Sequence, residues 1–527
     1  MAQLTNTRVI TCLTLFVVIL LLHPFPGMLG TDPLPMDDPL LAVTAMDLAR
    51  GDAPLTLEQP PFGAVAGRLS IAVLSPLIPE VGALRLTSAL FSLGTLGLFF
   101  LFVRRRHSVT TALLSIMVLA TMPGFAFVST SISVDPMLTF FAMATVVATS
   151  RVFFDNHPQW APAAGLAMAG AFLTASWLGL LLTLFLFGAG LIWFLTIKRE
   201  ENNPSIRHLF FHLMGVLALI ALPSVWIAVV LSSGAHSGEG FWLPQTGLPM
   251  PLSELALRLV ALTWPWTPLI LFFGGLTLSD TIRKGPLNTE TLFLLTWMLA
   301  AFLMLMSGLS HVGPLLPPMA LMAAQILEKP VPGWLKRYGA FWFSTVASCL
   351  FLVGFSPILE KVLPAEPPAF LDALFASGPH TLLAIMGLIA ASATWLIQPL
   401  PLTRAARLLA ITAIFWFAVS KGPFSAIALE KRGALTLPAI ATSQSHIATY
   451  NMDRQTRADL IFVHGLKASA ISLETVYDIL KGGLKTHAGV LVMADASGNL
   501  PKEMALLPCT ATPLTQTATP KIYWVAP

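Results

Sequence analysis

Long apolar runs alternate with short polar connections over the first four hundred or so residues of the chain. Thr11 to Leu22, Leu209 to Leu231 and Leu292 to Met306 are long enough, or nearly so, to cross a bilayer as helices. The pattern predicts about thirteen crossings: about 9–23, 85–103, 109–127, 132–150, 161–177, 179–197, 210–231, 257–276, 289–307, 314–327, 340–356, 380–398 and 405–420. Leu21-Leu22-His23-Pro24 offers no small-residue cleavage site, so the first segment reads as a retained helix rather than a signal peptide.

Two regions break the pattern. Between about 24 and 82, Met36 to Leu41 and Ala45 to Arg50 read as an amphipathic helix lying on the membrane surface. Pro60-Pro61 interrupts the chain after an extended stretch from Pro54, and 64–77 follows as a second half-buried segment. In the last hundred or so residues the apolar runs become short. Asp459 to Val463 and Gly489 to Met493 read as buried strands, and Ser472 to Gly482 between them as a helix. Ile522 to Val525 suits one more strand, which makes this a small β-α-β unit.

Composition agrees with the periodicity. The chain is 55% hydrophobic and 11% charged, where a soluble domain carries roughly 25% charged residues. The net charge of +4 does not point to nucleic acid. Cys12, Cys349 and Cys509 lie too far apart to suggest a metal site or a disulfide framework. Lys and Arg decide the orientation. With the N-terminus inside, the cytoplasmic connections receive Arg104 to Arg106, Arg151, Lys198, Arg199, Arg207, Arg283, Lys284, Lys329, Lys336, Arg337, Arg404 and Arg407, while the outer connections between crossings receive Arg50, Arg68, Arg85, Arg258 and Lys361. The expectation is a polytopic α-helical membrane protein, residues 1–421, followed by a small α/β domain on the outer side of the membrane, residues 422–527.

On that threading, acidic and imidazole groups from distant segments gather on the outer face. Asp37 and Asp38 come from the first loop, Asp135 from the outer end of the fourth crossing, and His311 from the turn between the ninth and tenth. An acid at the rim of a lipid-facing bundle suits a general base acting on a substrate presented at the surface. Helix capping is the competing reading: Asp38-Pro39 and Asp135-Pro136 both look like caps followed by a first-turn proline. His311 alone suits an interfacial polar residue as well as a ligand. Both readings stay open at this level.

The order of motifs separates them. Asp37-Asp38, a Gly51-Asp52 turn, Gln59-Pro60-Pro61-Phe62 and Leu84-Arg85-Leu86 resemble the first loop of bacterial membrane glycosyltransferases of the GT-C class. The nearest resemblance is to the aminoarabinose transferase and protein O-mannosyltransferase superfamily. Ser133 to Leu138, Gly170 to Thr174, Thr263-Trp264-Pro265-Trp266 and Ser310 to Pro317 follow in the family's order, so the resemblance covers roughly 5–330. It implies a GT-C fold in a bacterial inner membrane and a sugar donor carried on a polyprenyl phosphate. The implied acceptor is a glycolipid such as lipid A, a polysaccharide or a protein, and the implied reaction inverts the anomeric carbon. Carried over residue by residue, Asp37 is the base, Asp38 fills a glutamate position, and Asp135 positions or polarises donor or acceptor. No cofactor is implied, and a divalent metal stays open.

The chain departs from the family at its cations. Gln59 stands where the family has lysine before the prolines, the lysine after the Leu173-Thr174 pair is missing, and Pro314 replaces a tyrosine. Gln59, Arg68, Arg258 and His311 remain as candidates to hold the donor phosphate. Losing one charge-assisted donor from such a site costs roughly 3 kcal/mol, so a non-catalytic membrane scaffold that kept the fold is the alternative. A transporter fits less well, because no ionisable residue falls in the middle of a crossing.

Overall fold

The computed structural model describes residues 38–51, 60–197, 206–232, 252–263, 266–272, 274–275, 289–306, 311–328, 446–450, 467–470, 476, 479, 490–493, 510–513 and 522–526. The expected crossings at 9–23, 340–356, 380–398 and 405–420, and the expected strand Asp459 to Val463, lie outside these residues.

Asp38 starts the first helix. Its Oδ1 accepts from the backbone N–H of Leu40 at 3.0 Å and of Leu41 at 3.2 Å, and Pro39 opens the first turn of α1 (Pro39–Arg50). The apolar side of α1 (Leu41, Ala42, Ala45, Leu48) packs on α2 (Pro61–Leu74) and reaches Leu84 of α3 (Glu80–Arg106). The two first-loop helices thus sit against the end of the bundle where α3 begins.

The expected third crossing at about 109–127 is not one straight helix. It is two helices, α4 (Val109–Thr121) and α5 (Pro123–Thr130), bent by 70°. Pro123 has no N–H to continue the ladder and its ring clashes with the preceding turn, so the apolar run stays continuous while the helix does not. α6 (Asp135–Thr149) then returns and ends in a π-turn, Ser150–Phe154.

The next apolar stretch, α7 (Ala161–Ile197), is continuous as a helix except at Ala175 and Ser176, whose backbones are non-helical. There it folds back on itself. Ala161 and Phe187 belong to one apolar cluster around Val152 and Phe153, although a straight helix would hold them roughly 39 Å apart. At the tip the strands of the hairpin are so close that a Cβ on Gly179 would collide with the carbonyl of Ala171. The fold-back at Ala175-Ser176 falls at the boundary between the two crossings expected at about 161–177 and 179–197. The turn strains Ser176, at φ 51° and ψ −142°, a conformation that costs a residue with a side chain about 1–3 kcal/mol.

α8 (Ile206–Ser232) runs parallel to the first arm of that hairpin, with Trp226 and Val230 against Phe172 and Leu173. Only 17% of its apolar window is buried, and Leu213, Val216, Leu217 and Ile220 face outward. Such an all-round apolar helix suits lipid rather than water. α9 (Leu252–Thr263), α10 (Thr289–Met306) and α11 (Leu316–Glu328) follow, with residues 267–272 also helical. The largest core joins them to α3–α7 through Phe99, Met117, Met143, Trp266 and Trp297. The Trp266 indole inside it donates to Thr121 Oγ1 at 3.1 Å. Among the described residues four helices are long and apolar enough to cross a membrane, or five with the bent pair α4–α5.

The final segment forms a five-stranded mixed sheet, in the order β2-β1-β3-β5-β4. β1 (His446–Tyr450) is parallel to β2 (Lys467–Ala470) and β3 (Val490–Met493). β5 (Ile522–Ala526) is antiparallel to β3 and to β4 (Thr510–Pro513). β3 and β5 fall where the apolar runs predict strands. Val476 and Ile479, in the expected helix, are helical and buried.

Candidate active site

Three segments meet where α6 begins. The backbone N–H of Asp38 donates to the carbonyl of Ile132 at 2.7 Å, which joins the start of the first-loop helix to the turn before α6. His311 approaches the same turn from 176 residues further along, with Nδ1 2.5 Å from Asp135 Oδ1. The backbone N–H of Val312 donates to Asp135 Oδ2 at 3.3 Å. Both oxygens of Asp135 are therefore engaged by the His311-Val312 segment.

That geometry revises the capping reading of Asp135. Val134 holds the N-cap position of α6 without a side-chain bond, and Asp135 is the first residue of the helix proper. Its carboxylate, 8% exposed by residue, reaches outward to His311 instead of back onto its own helix. The helix N-terminus still favours a negative charge there. The close approach depends on Gly313. A Cβ at that position would collide with Thr139 Oγ1, which itself donates to the Asp135 carbonyl at 2.7 Å.

The electrostatics favour the protonated form of His311. Burial pushes its imidazole down, but the Asp135 carboxylate, their hydrogen bond and the charge of Asp38 outweigh it, and the ring is held above the ordinary histidine range. With Nδ1–H donated to Asp135, Nε2 is the nitrogen that remains to act on something else. Asp38 contributes charge while its Oδ1 caps α1.

The residues singled out from the sequence divide as follows. Asp38, Asp135 and His311 are brought together. Arg68 is exposed on α2, and none of the bonds at Asp135 or His311 involves it. Asp37, Gln59 and the Arg258 side chain lie outside the described residues. The sequence reading missed Val312, Gly313 and Thr139, which hold the pair in place. Only the glycine beside His311 signalled a close approach. The sequence reading placed Arg85 in the Leu84-Arg85-Leu86 motif and among the outer charges, but not at the site. Arg85 is 2% exposed next to Leu84 at this end of the bundle, the only Lys or Arg in the buried class among the described residues. No group of three or more metal-ligating side chains occurs among the described residues.

Comparison with known proteins assigns the fold. Residues 58–227 match the family model described as dolichyl-phosphate-mannose-protein mannosyltransferase. The structure superposes on ArnT from Cupriavidus metallidurans in the apo state with a TM-score of 0.67 and 16% identity, covering 97% of each chain. The same protein bound to undecaprenyl phosphate gives 0.67 and 15%, again over 97% of each chain. The archaeal oligosaccharyltransferase AglB from Archaeoglobus fulgidus aligns at 12% identity over 93% of this chain and 70% of its own, with a TM-score of 0.41. No curated protein sequence matches. The chain has the GT-C membrane fold.

Proposed function

We propose that the chain is a glycosyltransferase that moves a sugar from a polyprenyl-phosphate carrier to a cell-envelope acceptor, a glycolipid, polysaccharide or protein, at the outer surface of the inner membrane. The observation that carries this reading is the Asp135–His311 pair, set beside Asp38 where the first-loop helix meets the bundle. Support comes also from the undecaprenyl phosphate bound by the similar ArnT structure and the lipid-phosphate donor in the matching family's description.

The roles follow from which groups are already engaged. Asp135 gives both oxygens to His311 and Val312, so it acts as the positioning residue for the imidazolium. Asp38 caps α1. Asp37, its neighbour, remains as the base that takes the acceptor's proton. The acceptor oxygen or nitrogen then attacks the anomeric carbon from the face opposite the phosphate, the bond to the phosphate oxygen breaks, and the configuration inverts. The leaving polyprenyl phosphate gains negative charge, and His311 supplies a fixed cation in a site where the family's lysine and tyrosine are absent. Arg68, Arg258 and Gln59 are the further candidates around that phosphate.

The test is a strain lacking the chain, complemented with wild type or with Asp37→Asn. Mass spectra of its envelope lipids and glycans should lose a species differing by one glycosyl unit, restored by wild type alone. Full restoration by Asp37→Asn, with Asp38→Asn inactive, would move the base by one residue. Restoration by both favours the scaffold.

A further inference from the structure

The opposite end of the bundle carries a second charged site. Arg104, Arg105 and Arg106 close α3, and Arg151 lies in the π-turn that ends α6. Among the described residues, Asp155 is the carboxylate that meets Arg105, Arg106 and Arg151. Arg106 bonds its Oδ1 at 2.7 Å and also donates to Ser150 Oγ at 2.9 Å. Arg105 and Arg151 share the other oxygen, Oδ2, at 3.5 and 3.4 Å. Both contacts are long for a charge-assisted bond, which normally lies near 2.7–2.9 Å. Each guanidinium has five N–H donors, so one carboxylate oxygen leaves most of their capacity unused.

The surroundings are built for the membrane boundary. The Arg106 guanidinium lies 5.1 Å from the Phe154 ring and that of Arg151 5.3 Å from Trp160, so aromatic faces fix the two better-buried arginines. Arg105 and Arg104 remain exposed at the rim. Below them, Leu101 on α3 is half exposed, on a helix apolar enough to cross the membrane.

We propose that Arg105 and Arg151, organised around Asp155, together with the exposed Arg104, whose guanidinium lies 6.0 Å from the Phe100 ring, bind the phosphodiester headgroup of an anionic membrane lipid. Such a group offers two non-bridging oxygens, which answers two guanidiniums that now compete for one carboxylate oxygen. The exposed apolar helix surface beside it takes the acyl chains. The site lies at the other end of α3 and α6 from the Asp135–His311 pair, and it stands whether or not that pair handles a lipid-linked sugar.

The experiment uses the full purified chain in nanodiscs of phosphatidylcholine alone or with phosphatidylglycerol. Thermal unfolding and native mass spectrometry are the two readouts. Phosphatidylglycerol should raise the unfolding midpoint and be retained in the spectrometer. Each arginine near an anionic lipid surface is worth about fivefold in binding, so Arg104→Gln/Arg105→Gln should weaken retention by tenfold or more. The double variant should unfold as wild type does in phosphatidylcholine. Asp155→Asn removes the competing carboxylate and should retain the lipid at least as well as wild type. Arg50→Gln, an exposed arginine paired with Glu80 at the other end, should leave retention unchanged. Equal retention by the double variant, an equal loss in Arg50→Gln, or the same midpoint shift from inorganic phosphate in phosphatidylcholine discs would each overturn the proposal.

Discussion

The two ends of the bundle use the same chemistry in opposite ways. At one end a single acid, Asp135, with its side chain 12% exposed, holds the His311 ring at 2.5 Å, and the charge of a second acid, Asp38, also favours its protonated form. At the other, Asp155, with its side chain 25% exposed, faces three arginines whose side chains are 18–44% exposed. Exposure separates the two by degree, most clearly at Arg105, whose side chain is 44% exposed against 12% for Asp135. An exposed ion pair contributes about 0–1 kcal/mol, since water and salt already screen it. Removing one partner of a buried pair costs about 3–5 kcal/mol, because the other charge is left desolvated. The first end is therefore rigid and sensitive to single changes, and the second is tolerant and open to an incoming anion.

The largest expected break falls at the buried pair. Asp135→Ala should lower unfolding stability by about 3 kcal/mol, read from thermal melts of the purified protein. The same variant should cut transfer as deeply as His311→Ala does, and combining the two should add little. His311→Ala alone should lower transfer about a hundredfold through the lost phosphate partner, measured as turnover at saturating acceptor. Gly313→Ala comes next. Its new Cβ pushes against Thr139, so it should cost about 1–3 kcal/mol and loosen the pair without removing a charge.

A pH series sharpens the contrast further. The folded His311 is raised above its ordinary 6.5. Its pairing stability is fully present below about 6.5 and is lost as pH rises through the elevated folded value. Transfer should fall on that alkaline limb, and His311→Lys should move the limb upward. The smallest effect is expected at the arginine end: Arg105→Gln should change stability by less than about 0.5 kcal/mol in uncharged lipid.

How much of this was legible in the sequence depended on whether the signal was local. Asp38-Pro39 specified its cap within a few residues, and the structure shows that cap. The hairpin between about 161 and 197 was readable from length alone, since the run is too long for one crossing. Its turn was not, because Ala175-Ser176 contains neither glycine nor proline and the strain is imposed by packing of the two arms. Pro123 marked a break that the unbroken apolar run concealed. The Asp135–His311 contact spans 176 residues, and no periodicity encodes such a distance. Charge counting brought both residues to one face, and the pairing itself appeared only with the fold. β2 and β4, Lys-Ala-Ser-Ala and Thr-Ala-Thr-Pro, offer almost no apolar alternation, so the sheet around them holds them as strands.

The central claim is that the buried pair holds a lipid phosphate through the His311 cation. The most direct test is the thermal shift that undecaprenyl phosphate produces in the purified chain at pH 6 and at pH 9. Ligand at about a hundred times its Kd should stabilise the wild type at pH 6 by about 2.7 kcal/mol. That shift should shrink at pH 9 and be absent from His311→Ala at both pH values. An equal shift in His311→Ala, or one indifferent to pH, would contradict it.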